Sequence, residues 1–251
     1  MKNSMRCIKE LTSLVAGLTV GFYSLQVQAG DNVIRVRENF GISSYAAPAV
    51  VDDISSTYTT WGLGFTHIWA SNLFVDYTFK LTGKGDYNAK SNTPTALDGK
   101  RPFTRTEHIV TVGMPLDSGL QVNGGFFTAE TNMELAPDIN SIIAPYDKQT
   151  QSMMGFTGGV GHGLELAGGR YGVLAVNGAL ALLVANTNRG GTKINSSLAY
   201  GLSFGAVYGY TFNPVLSTTI DTKYQAYFIN YPGFSGNEKI LSLNLSLIAK
   251  F

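Results

Sequence analysis

The amino-acid sequence predicts an all-β fold: a single antiparallel, up-and-down transmembrane β-barrel. Three observations predict it. Segment after segment alternates large apolar residues with small or polar ones, at the period of two that belongs to strands. Charged residues are only 14% of the 251, whereas Gly (29), Tyr (13) and Phe (14) are abundant. Short and long connections also follow one another in regular alternation along the chain. After residue 29 no apolar run is long enough for a transmembrane helix. A chain of this kind can cross hydrocarbon only as a closed barrel, where every backbone group finds a partner without water.

Residues 1–29 read as a signal peptide and residues 30–251 as the barrel. Lys2, Arg6 and Lys9 form a basic start, Leu11 to Tyr23 is uncharged and apolar, and Val27-Gln28-Ala29 offers small residues for cleavage. Cleavage removes Lys2, Arg6, Lys9 and Glu10, leaving 15 basic and 16 acidic side chains. Such a balance gives no field for nucleic acid. Cys7, the single cysteine, leaves with the leader, so the mature chain carries no thiol into an oxidising compartment.

Ten strands follow, with eight or twelve as alternative totals. The first, near 32–44, sets Ile34, Val36, Phe40 and Ile42 against Arg35, Arg37 and Asn39. Glu38 falls on its apolar face, where a charge is costly, so a bulge or a different boundary is expected there. The second, 57–69, sets Trp61, Leu63, Phe65 and Trp69 against Thr60, Gly62, Gly64 and Thr66; the third, 72–82, sets Leu73, Val75, Tyr77, Phe79 and Leu81 against Asp76, Thr78 and Lys80. In 104–114, Val110, Val112 and Met114 oppose Arg105, Glu107 and Thr111. Segments 120–131 and 151–166 are weaker, the latter with Met154, Phe156, Val160 and Leu164 against glycines and Thr157. Clear alternation returns in 171–186, 197–212 and 215–229; the last of these turns Asp221, Lys223 and Gln225 to the polar face. The final strand places Leu241, Leu243, Leu245, Leu247, Ala249 and Phe251 opposite Ser242, Asn244, Ser246 and Lys250.

Ala70-Ser71, Pro115 to Gly119, Gly168-Gly169 and Asn213-Pro214 are the short turns. The links at 45–56, 83–103, 132–150, 187–196 and 230–238 are longer and polar. A soluble β-sandwich would carry more Lys, Glu and Asp on its second face. Here that face is Gly, Ala, Ser, Thr and Asn, and aromatic residues gather near strand ends as an interfacial girdle requires.

The C-terminal run Leu243-Asn244-Leu245-Ser246-Leu247-Ile248-Ala249-Lys250-Phe251 resembles the end of Gram-negative outer-membrane β-barrels. Those chains close on an aromatic residue after alternating apolar ones, and the insertion machinery reads that end. The resemblance implies residence in the bacterial outer membrane, contact with its lipid and lipopolysaccharide, and Leu243, Leu245, Leu247 and Phe251 as the insertion signal.

The inward-facing charges are Arg35, Arg37, Asp76, Lys80, Arg105, Glu107, Asp221, Lys223 and Lys250. They cluster on strands 1, 3, 4, 9 and 10, while strands 6 to 8 offer a wall of Gly, Ala, Ser and Thr. Charges reaching toward that wall would either fill the lumen or line a narrow wet path. No catalytic constellation stands out. The omptin proteases, also ten-stranded, use an acidic pair and an Asp–His pair. Asp52-Asp53 offers an acidic pair, but His67 and His162 sit toward the periplasmic ends and His108 falls on the lipid-facing register. The lipid A deacylases use a lipid-facing Ser–His–acid arrangement late in the chain, and no histidine follows His162. Metal-ligand spacing is absent, and Gly83-Lys84-Gly85 lacks the strand–loop–helix context of a phosphate cradle. Asp86, Asp98, Asp138 and Asp147 read as solvated loop charge. No cofactor is expected. The expectation is a non-enzymatic barrel presenting external loops, to an extracellular ligand or as envelope structure. A narrow passive channel for small polar or ionic solutes is the alternative, and a lipid or peptide hydrolase the third reading.

Overall fold

The structure is a computed structural model and describes residues 31–47, 51–83, 85–90, 99–116, 120–135, 147–231 and 234–251. The leader, residues 1–29, lies outside the described residues. Alternation of the kind described above needs one face on lipid and one on a lumen, and the chain supplies that by closing a sheet on itself. The strands are β1 (Asn32–Ala47), β2 (Val51–Ile68), β3 (Phe74–Thr82), β4 (Gly85–Lys90), β5 (Gly99–Pro115), β6 (Leu120–Leu135), β7 (Asp147–Glu165), β8 (Val173–Arg189), β9 (Thr192–Thr211), β10 (Leu216–Tyr231) and β11 (Phe234–Lys250). All pairings are antiparallel between neighbours, and β1 pairs with both β2 and β11, which closes the barrel.

β3 and β4 lie end to end between β2 and β5, so eleven segments make ten staves. The register slips by one residue between them, from Thr60↔Thr82 to Thr57↔Asp86 on one side and from Leu81↔Thr106 to Gly85↔Phe103 on the other. A one-residue slip of this kind is the mark of a bulge. At the seam, Asn32 and Phe251 exchange backbone hydrogen bonds of 3.0 and 2.9 Å, and Lys250 Nζ pairs with Asp31 at 2.7 Å.

The outer face is apolar on every full stave. Val36, Leu63, Tyr77, Val112, Phe156, Leu180, Phe204, Ile220 and Leu245 are among the many large side chains left exposed. In water such a surface would be a severe liability, and in hydrocarbon it is the solvated state. The chain is therefore a membrane-spanning barrel.

Two expectations need correction. The long external connections are shorter than the sequence pattern implied. Residues 85–90, 99–103, 132–135, 147–150 and 187–189 are paired strand, and β8 passes to β9 through Gly190-Gly191. Both glycines have positive φ, 56° and 80°, as a two-residue hairpin turn demands. The reason is geometric. Apart from β3 and β4, the strands run 16–20 residues. About 9–11 suffice to cross hydrocarbon. Beyond the bilayer both faces meet water, so ladders continue where apolar alternation has stopped. The second correction is Glu38. No bulge relieves it: pairing runs unbroken from Val33↔Lys250 to Ala46↔Asn237, and Glu38 stands between Trp61 and Leu245 on the lipid-facing register.

The turns at the opposite end are tight. Asn72, at φ 61°, closes residues 69–73. Asn213 accepts from the Val215 and Leu216 amides through Oδ1, both at 2.9 Å. This end, which also holds both termini of the barrel, is the periplasmic one by the topology of such barrels.

Candidate functional site: a filled lumen with one polar chamber

The inward register of a barrel must be either wet or packed, because no backbone group there needs a side chain. At the periplasmic end it is packed. Val33, Ile68, Phe74 and Ile248 form one apolar cluster, and Val173, Ala175 and Val207 form another. Ser217 and Thr219 beside them, and Gln121 on β6, have no exposed surface at all.

Above this floor lies an ionic layer. Arg35 donates Nη2 to Asp76 at 3.0 Å and to Thr78 at 2.9 Å. Asp76 also accepts from the Thr66 hydroxyl. This reach passes over Gly64 on β2: a Cβ there would sit 2.5 Å from Arg35 Nη2, and the guanidinium would have to shift. Arg37 Nη2 lies 3.7 Å from Asp221, whose other oxygen accepts from Asn244 Nδ2 at 2.6 Å. Lys80 meets Glu107 at 3.2 Å. Arg105 donates to Glu107 and to Glu238, each at 2.8 Å. Mutual pairing of this kind is what makes buried charges tolerable.

The outer half is closed on its other side by an apolar cluster. Phe127, Met153, Leu183, Tyr227, Ile229 and Ile240 belong to it, with Tyr58 and Ile109 packed against them. The wall of β7 to β9, expected to present Gly, Ala, Ser and Thr, also carries Met153 and Leu183. Those two close off the upper lumen. The small residues lie lower, where Thr157, Ala179, Ala181, Gly201, Ser203 and Gly205 face a cavity of about 90 Å³. Arg37, Lys80, Asp221 and Lys223 also line it. By volume it holds a few waters.

Eight of the nine charges singled out in the sequence come together in the lumen. Lys250 is in the same register but lies at the periplasmic rim, with Asp31. Glu238 was missed, because it was read as the end of a loop. Continuing the even register of Ser242 and Asn244 outward by two steps reaches it. Leu243, Leu245, Leu247 and Phe251 all stand on the outer face.

The three histidines are on the outward register. His67 Nδ1 contacts Asn32 Oδ1 at 3.0 Å, and His108 Nδ1 contacts the Tyr77 hydroxyl at 2.9 Å. His162 sits in β7 between outward-facing Val160 and Leu164. The side chains of Asp52, Asp53, Asp86 and Asp147, with Asp98 and Asp138 entirely, lie outside the described residues. Among the described residues no group of His, Cys, Asp or Glu could hold a metal ion.

No protein-family model and no curated protein sequence matches the chain. Solved structures do match in fold. The chain is similar to the translocator domain of the autotransporter NalP from Neisseria meningitidis, with 9% identity and a TM-score of 0.57, covering 100% of this chain and 95% of that one. It is similar to the outer membrane protease OmpT from Escherichia coli, with 9% identity and a TM-score of 0.56, covering 88% of this chain and 97% of that one. At such identity the likeness speaks for the fold. The protein is an antiparallel ten-stave barrel of the outer-membrane type.

Proposed function

We propose that the protein is a non-enzymatic outer-membrane barrel whose closed body holds external hairpins and loops at the cell surface. One observation carries this reading: lumen-facing side chains near the periplasmic end, Ser217 and Thr219 among them, have no exposed surface. A water-filled pore would leave them wet. The staves also continue well past the span hydrocarbon requires, which gives the surface segments a rigid base. The outward placement of all three histidines weighs against a peptide hydrolase working from the lumen, because a general base must face the group it serves.

The test is binding. Refolded protein in vesicles, with and without residues 91–98 and 136–146, is titrated with purified lipopolysaccharide and with immobilised host-surface proteins. Binding lost on trimming, in a barrel that still folds, supports surface display. Equal binding by the trimmed barrel contradicts it. The channel reading draws on one observation, the polar chamber in mid-lumen, and predicts ion conductance.

A further inference from the structure

Among the described residues, the lumen-facing charges number five cations and four carboxylates. The cations are Arg35, Arg37, Lys80, Arg105 and Lys223, and the carboxylates are Asp76, Glu107, Asp221 and Glu238. Ion pairs assign every carboxylate. Asp76 pairs with Arg35, Asp221 with Arg37, Glu107 with Lys80 and Arg105, and Glu238 with Arg105. Lys223 makes no ion pair with a described carboxylate, and it lines the chamber. Its strand neighbours, Gly205 on β9 and Ser242 on β11, leave room beside it and bring no charge.

An ammonium in a mostly packed lumen is poorly hydrated, and an opposite charge nearby lowers its energy. The chamber supplies the rest of a site. Asn123, Asn177, Ser203 and Thr157 line it with neutral polar groups able to donate. Asp221 also lines it: its Oδ1 accepts from Asn244, and its Oδ2 stands 3.7 Å from Arg37 Nη2, an ion pair without a hydrogen bond. The volume admits a small ion. We propose that this chamber binds one small inorganic anion, halide or nitrate in size, held by Lys223 against the amide and hydroxyl groups of β6 to β9. The anion offsets the one described lumenal cation that has no ion pair.

The experiment refolds the protein into vesicles in sodium chloride, sodium nitrate or sodium gluconate at equal ionic strength. Gluconate is the bulky reference anion. Unfolding temperature is read from the gel shift between folded and unfolded barrel. The wild type should unfold roughly 2–4 °C higher in chloride or nitrate than in gluconate. Lys223→Met should lose that difference, and Lys223→Arg should keep it. The same response in Lys223→Met as in the wild type would overturn the site, as would a wild type indifferent to the anion. Loss of the response in Lys223→Arg would overturn the charge-based account. The anion response is independent of loop binding, so this proposal and surface display can fail separately.

Discussion

Arg105 on β5 donates Nη1 to Glu238 on β11 at 2.8 Å, and that bond crosses the lumen. Three staves separate the two strands around the wall. Both residues are buried, and Arg105 also holds Glu107. Removing one partner leaves a charge stranded, whereas removing both leaves a space that apolar groups can fill. Glu238→Gln should therefore cost about 2–4 kcal/mol. The double change Arg105→Met with Glu238→Leu should cost less than the sum of its singles. Urea unfolding in lipid vesicles, followed through Trp61 and Trp69, measures this cycle. Strict additivity would show that the two do not interact.

Gly64 and Gly62 make a matched pair of probes. A Cβ at Gly64 would meet Arg35 Nη2 at 2.5 Å, while one at Gly62 meets nothing closer than Phe79 O at 3.3 Å. Gly64→Ala should cost about 1–3 kcal/mol, as overpacking usually does. Gly62→Ala should cost clearly less. Equal effects in the same unfolding assay would remove the argument that Arg35 reaches Asp76 by passing over a bare backbone.

Glu38 tests the lipid face. It stands between Trp61 and Leu245 with exposed apolar residues above and below it. A carboxyl group there is less favourable than an alkyl group. Glu38→Leu should leave stability unchanged or raise it by up to about 1 kcal/mol. A marked loss would mean that Glu38 has a polar partner the barrel needs.

Phe74 tests the floor. It is fully buried against Val33, Ile68 and Ile248, and its ring lies 2.5 Å from where a Cβ on Gly113 would be. Phe74→Ala should cost about 3–5 kcal/mol in the same assay. A cost below 1 kcal/mol would mean that the floor is loosely packed and the lumen less closed than its side-chain burial implies.

Much of this architecture is legible in the chain, and the reason is physical. Period-two alternation reports which way a side chain points wherever one side meets lipid, so Arg35, Asp76 and Asp221 could be turned inward from the sequence alone. The pattern fails where both sides of a strand are dry or both are wet. Phe126-Phe127, Leu182-Leu183 and Tyr227-Phe228 are apolar on both faces; the outward member meets lipid and the inward one closes the upper lumen. Those doublets were the available sign of a packed interior. In the outer extensions, such as 187–189 and 234–238, both faces are polar, and strand was read as loop. That misreading hid Glu238. Which charge pairs with which was not legible either, because Arg105 and Glu238 are 133 residues apart and only the closed barrel brings them together.

Single-channel recording of the refolded wild-type barrel in a planar bilayer tests the central claim most directly. With folding shown independently by the gel shift, the account predicts a silent bilayer, because the floor of Val33, Ile68, Phe74 and Ile248 and the Arg105–Glu238 crossing close the lumen. Discrete, voltage-stable conductance steps from the wild-type protein would contradict it.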